Sequence, residues 1–208
     1  MLAHRTAAKL SPLLALIWLS PFTVTAQTEP AHHQPIVVSL PQGPLTRIPS
    51  PDRRWMLVFE FPASDKSHSD YCRTGENETR KLWIKRKGSR GRTLVRDFDR
   101  SLDISWSPDS HHFFVNDASG STDTLGYVYD PVTLKATALA DVVTGSDPDA
   151  KKYLGAGHSY LEANRWINSH ELSVTLWGQF DEERVGFKIK YRVNLNGRVE
   201  RLCKREYR

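Results

Sequence analysis

The sequence predicts an all-β fold of antiparallel meander repeats, and three observations carry that prediction. Composition is the first: twelve Gly, twelve Pro, six Trp and seven Tyr are spread over 208 residues, many in short runs of strand formers broken by turn residues. A recurring unit is the second. In ISWSPDSHHFFVND, residues 104–117, a Trp, a Pro-Asp turn and an apolar strand follow one another, and the unit returns twice in altered form. The third is Asn196-Gly197 between two apolar runs, the strongest short signal for a β-hairpin.

The elements follow in chain order. Residues 27–34 form a polar leader with His32 and His33, and PIVVSL at 35–40 is a short β-rich run suited to opening the domain or closing a sheet edge. Ser50-Pro51-Asp52 leads into a strand at 55–61, and 57 residues later Ser107-Pro108-Asp109 leads into a strand at 112–116. A third copy sets Asn168-Ser169 before a strand at 172–177, with Trp166 standing 60 residues after Trp106 and His170 at the register of Ser110. Pro fixes φ while Asp, Asn and Ser bond back to the backbone, so all three copies suit a tight turn. Each copy is followed by a second strand (81–85, 125–130, 187–194), a turn, and a third strand (92–96, 135–139, 198–202). A fourth run, 102–106 or 160–166, feeds the next copy. Units of this length and content are the size of a propeller blade. The expected architecture is therefore β-propeller-like, with about three blade-like units over 47–208 and a leader and edge strand at 27–46.

Trp106-Ser107-Pro108-Asp109-Ser110, an apolar strand, and then Tyr127-Val128-Tyr129-Asp130 with a turn resemble the β-propeller repeats of the TolB type. Blades of that type carry W-S-P-D-G before an apolar strand. The resemblance covers residues 47–203 and is clearest in the second copy; the first lacks the Trp, the third lacks Pro-Asp, and Ser110 stands where the repeats often have Gly. It implies an exported bacterial repeat protein. Three units fall short of the four to eight blades of a closed propeller. An open stack, a compact three-unit assembly and a part of an oligomer all remain open.

The N-terminus reads as a cleaved export signal over residues 1–26. His4, Arg5 and Lys9 precede an apolar run at 10–19, Pro21 breaks it, and Val24-Thr25-Ala26 offers a small-residue cleavage site. Ten apolar residues are too few to span a bilayer, which takes roughly 20, so a periplasmic or secreted protein without a transmembrane segment is expected. Without that segment the formal charge of +5 falls to +3, 27 basic groups against 24 acidic. Basic residues cluster at 81–100 and 198–208 but interleave with strand residues, so they read as solvated strand faces and no nucleic-acid partner is expected. Cys72 and Cys203, the two cysteines, are expected to form a disulfide in an oxidising compartment.

No residue pattern specifies a catalyst or a cofactor, and none is expected. His111 and His112 beside Asp109 and Ser110, with His158-Ser159 elsewhere, invite a Ser/His/Asp reading, yet no nucleophile elbow accompanies them. Asp117, Ser119, Ser121 and Asp123 alternate oxygen ligands in a Gly-containing loop, but depart from the order a Ca²⁺ loop requires, so no metal is assigned. Aromatic faces suit sugar stacking; Trp55, Trp83, Trp106, Trp166 and Trp177 nevertheless recur within or at the ends of strands, as core residues do, and are assigned to packing. Two polar, strand-free stretches of 63–80 and 141–157 are the expected recognition loops. Asp65, His68, Asp70 and Glu76 in the first, and Asp147, Asp149, Lys151 and Lys152 in the second, are the candidate binding residues. The expected function is non-enzymatic binding of a protein or cell-envelope component. A hydrolase assembled from His112, Asp109 and His158, and an inhibitor or immunity-type protein, are the alternatives.

Overall fold

The computed structural model describes residues 34–41, 47–61, 80–182 and 184–208, all within one compact unit, His32–Arg208. Strands dominate it, as expected, and nearly all are antiparallel. Three meanders of four strands follow one another. The first is a separate sheet of β2 (Arg47–Pro49), β3 (Trp55–Glu60), β4 (Arg80–Arg86) and β5 (Thr93–Phe98). The second comprises β6 (Ser101–Trp106), β7 (Phe113–Ala118), β8 (Asp123–Tyr129) and β9 (Ala136–Ala138), with β1 (Val38–Leu40) paired to the outer side of β6. The third is β10 (His158–Asn168), β11 (Glu171–Phe180), β12 (Val185–Asn194) and β13 (Val199–Tyr207). Each meander starts with the strand that precedes the turn of its copy.

Alternation sets which face each strand buries. In β12, Phe187, Ile189, Tyr191 and Val193 are buried while Lys188, Lys190 and Arg192 are exposed, the period-two pattern of a sheet with one wet face. β7 is buried on both faces: Phe113 and Val115 join Leu57, Phe59, Leu82 and Ile84 between the first two meanders, and Phe114 joins the core of the third. Trp106 and Trp166 are core residues, as expected, but Trp177 is not; it stands 37% exposed on the outer face of the third meander. Among the described residues β13 is the last strand of its sheet, and every residue from Glu200 to Tyr207 is exposed.

Three expectations need correction. The stretch 141–157 is not a loop but carries helices, α1 (Leu139–Ser146) and α2 (Ala150–Leu154), which bury Leu139, Val143, Ala150 and Tyr153. The cause is topological. β10 pairs parallel with β8, Ser159 opposite Asp123 and Leu161 opposite Leu125, and parallel neighbours require a crossover that returns the chain to the same end. The third strand at 135–139 is accordingly short, since Leu139 already belongs to α1. The third copy also turns differently: Asn168 pairs with Glu171, so Ser169-His170 is a two-residue hairpin turn, and His170 does not share the backbone of Ser110.

Gly126 explains how β8 accepts two neighbours on one edge, β10 at 123–125 and β9 at 127–129. A Cβ at Gly126 would lie 2.7 Å from Leu139 Cδ1 and 3.1 Å from the Leu161 carbonyl. Beside it, the buried Asn116 of β7 donates from Nδ2 to the Ala163 carbonyl at 2.9 Å and accepts from Ala163 N at 2.8 Å. Its side-chain amide thus serves as a backbone surrogate where β10 leaves β8.

Candidate functional site

The two Ser-Pro-Asp turns are built alike. Ser50 Oγ donates to Asp52 Oδ1 at 2.7 Å and accepts from Trp55 N at 3.0 Å; Ser107 Oγ donates to Asp109 Oδ1 at 2.6 Å and accepts from His112 N at 2.9 Å. Arg53 and Ser110 occupy the same place in the two turns with φ of 58° and 65°, a left-handed conformation that Gly adopts most readily. Ser110 uses its hydroxyl instead, accepting from Asp52 N at 3.0 Å and so joining one turn to the next. Two tryptophans repeat a second link. Trp106 Nε1 donates to the Ile48 carbonyl at 3.3 Å and Trp166 Nε1 to the Ser105 carbonyl at 3.1 Å, each acceptor two residues before the Ser of the preceding turn. The repeat is therefore a device that registers neighbouring meanders at their turn ends.

Between these turns and the β8–β9 turn lies a cleft of about 520 Å³, lined by Arg54, Trp55, Arg86, His112, Asp130 and Val132 among others. A cavity of about 200 Å³ shares His112 and Asp130 and runs under α1 towards Leu195. Asp130 is a turn residue: its Oδ1 accepts from Val132 N at 2.7 Å and Thr133 N at 3.0 Å. The Thr133 amide lowers its carboxyl below the usual value, against an opposing push from burial. In Asp109 burial pushes up, but hydrogen bonds from Ser107 and His111 N prevail and lower it. Asp52 falls to about 2, burial again being overcome by bonds from Arg54 N, Ser50 Oγ and the Arg54 side chain. The His112 pKa falls as well, which for a base favours the uncharged form. Burial lowers its pKa despite Asp109 and Asp130 nearby, with His170 and His111 adding to the fall, so the imidazole is neutral at pH 7. Its Nδ1 is buried with no hydrogen-bond partner among the described residues. The ring lies 6.5 Å from Trp166 and 6.4 Å from His170. Val132 is 75% exposed at the rim, and Arg86 has no ion pair among the described residues.

The expected site residues fare unequally. Asp65, His68, Asp70, Glu76 and Cys72 lie outside the described residues, so the Cys72–Cys203 pairing does too; Cys203 is exposed on β13. Asp147 ends α1 with its carboxylate on Tyr191 Oη, which donates at 3.1 Å, and on Arg201 Nη1 at 3.2 Å; burial first, then the Asp147 charge, pushes the Tyr191 phenol up. Asp149 lies 3.6 Å from the same Arg201, Lys152 rests 5.1 Å from the Phe180 ring centre, and Lys151 is exposed. Asp147, Asp149 and Lys152 thus anchor α1 and α2 on the third meander, and Lys151 faces solvent on α2. His158 starts β10 and holds Asp181 at 2.7 Å. His112 packs near Trp166, eight residues along that strand, roughly 25 Å at a strand's rise. A triad of His112, Asp109 and His158 does not assemble. Asp117 gives its carboxylate to Arg96 at 2.5 Å, which removes it from the alternating Ca²⁺ ligand pattern. Arg54, Arg86, Asp130 and Val132 were missed. The sequence shows their turns, but not that turns from different copies meet.

Neither a protein-family model nor a curated protein matches the chain. A solved structure from a study of two prolyl endopeptidases and the role of inter-domain dynamics in their catalysis and specificity is similar over 78% of this chain, at 10% identity and a TM-score of 0.41. The match covers 35% of that solved chain. A likeness so distant says nothing of this chain's activity.

Proposed function

We propose that the chain is an exported, non-catalytic binding module whose meanders act as propeller-like blades and whose turn-end cleft receives a segment of an envelope or exported protein. The observation that carries this is His112: a neutral, half-buried imidazole that lines both cavities, with Asp130 beside it in each. Arg86 at the rim and the exposed Val132 add a cation and an apolar contact, so a partner segment with a carboxylate beside an aliphatic side chain fits best. Residues 1–26 carry the features of an export signal, and the Cys72–Cys203 disulfide belongs to the same reading.

A photo-crosslinking residue at Val132 tests it in cells. One discrete crosslinked protein, lost when Arg86→Glu is added and absent when the crosslinker sits at Lys188, is the expected result. Turnover of ester or glycosidic substrates that disappears in His112→Ala would replace the reading with the hydrolase.

A further inference from the structure

The outer face of the third meander carries a second feature, away from the turn-end cleft. β10, β11, β12 and β13 align Tyr160, Trp177, Lys188 and Arg205 in one cross-strand row. Tyr160 stacks on Trp177 with ring centres 4.2 Å apart and planes 22° apart, and Trp177 remains 37% exposed. Both rings are fixed by their polar ends: Trp177 Nε1 donates to Glu162 Oε2 at 3.0 Å and Tyr160 Oη to the Ser121 carbonyl at 2.8 Å. In the adjoining row, Gly186 has no side chain and the ring of Tyr207 lies over it; a Cβ there would come within 2.4 Å of that ring. Beside Trp177 lies a shallow cleft of about 350 Å³ lined by Tyr160, Trp177 and Tyr207, with His158, Asp181 and Arg184 at its rim; Lys188 and Arg205 stand outside that lining, beyond Trp177 in the row. That volume is within the range of small-ligand sites.

We propose that this surface binds an acidic glycan, one pyranose ring stacked on the exposed part of the Trp177 indole and its anionic substituent held by Lys188 and Arg205. An exposed, immobilised indole offers an apolar face to the axial C–H bonds of a sugar at little entropic cost. Lys188, Lys190 and Arg205 are exposed and form no ion pair among the described residues, so these cations are free to meet an anion. Asp181 stands at the rim of the cleft and Glu162 lies beside the indole whose N–H it binds. Both carboxylates accept from sugar hydroxyls, which a glycan carries on every ring and the sugars inside a DNA strand lack.

The test titrates the intact protein with a hyaluronan hexasaccharide at low salt, followed by tryptophan fluorescence and calorimetry. Saturable binding is expected, weakened about tenfold or more by Trp177→Ala and by Lys188→Glu. It should also weaken with added salt and stay unchanged in Arg86→Glu, so that its fate is separate from that of the turn-end cleft. Lys188 is exposed, so the second variant keeps the measurement meaningful should Trp177→Ala fold poorly. No binding, equal binding of a neutral chito-hexasaccharide, tighter binding of an oligodeoxythymidylate, or indifference to both substitutions would each overturn the proposal.

Discussion

The two seams between the meanders solve one packing problem in different ways. Between the first and second meanders no strands pair, and an apolar layer is closed at the turn end by Ser110 to Asp52 N and Trp106 to Ile48. Away from those turns the same seam holds a charge: Arg96 of β5 reaches Asp117 of β7 at 2.5 Å, bonds Tyr129 Oη at 3.3 Å and stacks on Tyr127 at 4.6 Å. Between the second and third meanders the sheet is continuous through β8 and β10, two helices cover the crossover, and Asn116 completes the pairing. Face packing tolerates small shifts and is corrected by discrete polar links. Edge pairing fixes register along the whole strand and leaves fewer ways to relax.

Substitutions that break each seam should therefore differ in size. Asn116→Ala is expected to be the largest, about 4 kcal/mol by urea unfolding, because Ala163 loses both bonds in a buried place. Arg96→Met should lose about 3 kcal/mol by leaving the Asp117 carboxylate buried and alone. Burial already raises the Asp117 pKa, with Arg96 opposing it. A raised carboxylate pKa contributes stability in its protonated form, which is lost as pH rises through the folded value, so the Arg96→Met penalty should shrink in acid and be full at pH 7. Loss of Arg96 at constant cost across pH would mean that packing, not charge, closes this seam.

The tryptophan links sharpen the contrast further down the scale. Trp166→Phe should cost about 2 kcal/mol and Trp106→Phe about 1, since the Ser105 carbonyl is in a fully buried stretch while Ile48 sits on a short strand that water reaches. Equal losses in thermal unfolding would argue that the seams are equivalent. Smallest is the pH effect of His112. Its folded pKa is depressed, so the folded chain disfavours the proton; stability is full above the unfolded value near 6.5 and falls as pH drops below it. His112→Asn should flatten that slope in melting temperature measured between pH 7 and pH 5.

Local signals made the strands and their turns legible. The Ser-Pro-Asp copies, the alternation in 187–194 and Asn196-Gly197 each act within a few residues, and the structure has strands and turns there. What the sequence hid was long-range. The helical spacing of Leu139, Val142 and Val143 was diluted by Asp141, Asp147 and Asp149, and nothing local announces that β8 and β10 run parallel. The same holds for the sites. His111 and His112 drew notice as neighbours, yet His112 gains meaning from Asp130 and Trp166, 18 and 54 positions away. Trp177 was assigned to the core because its place in the strand matches a core pattern; only the absence of a covering layer among the described residues distinguishes it from Trp166.

One feature of β13 bears on solubility. An open edge displays free amides and carbonyls that invite a strand from another molecule. Antiparallel self-pairing centred on residue 203 would set Arg201 opposite Arg205 and Glu200 opposite Glu206. Like charges directly opposite repel, so in this register the strand rejects its own copy. A foreign strand with the complementary order of charges meets no such barrier.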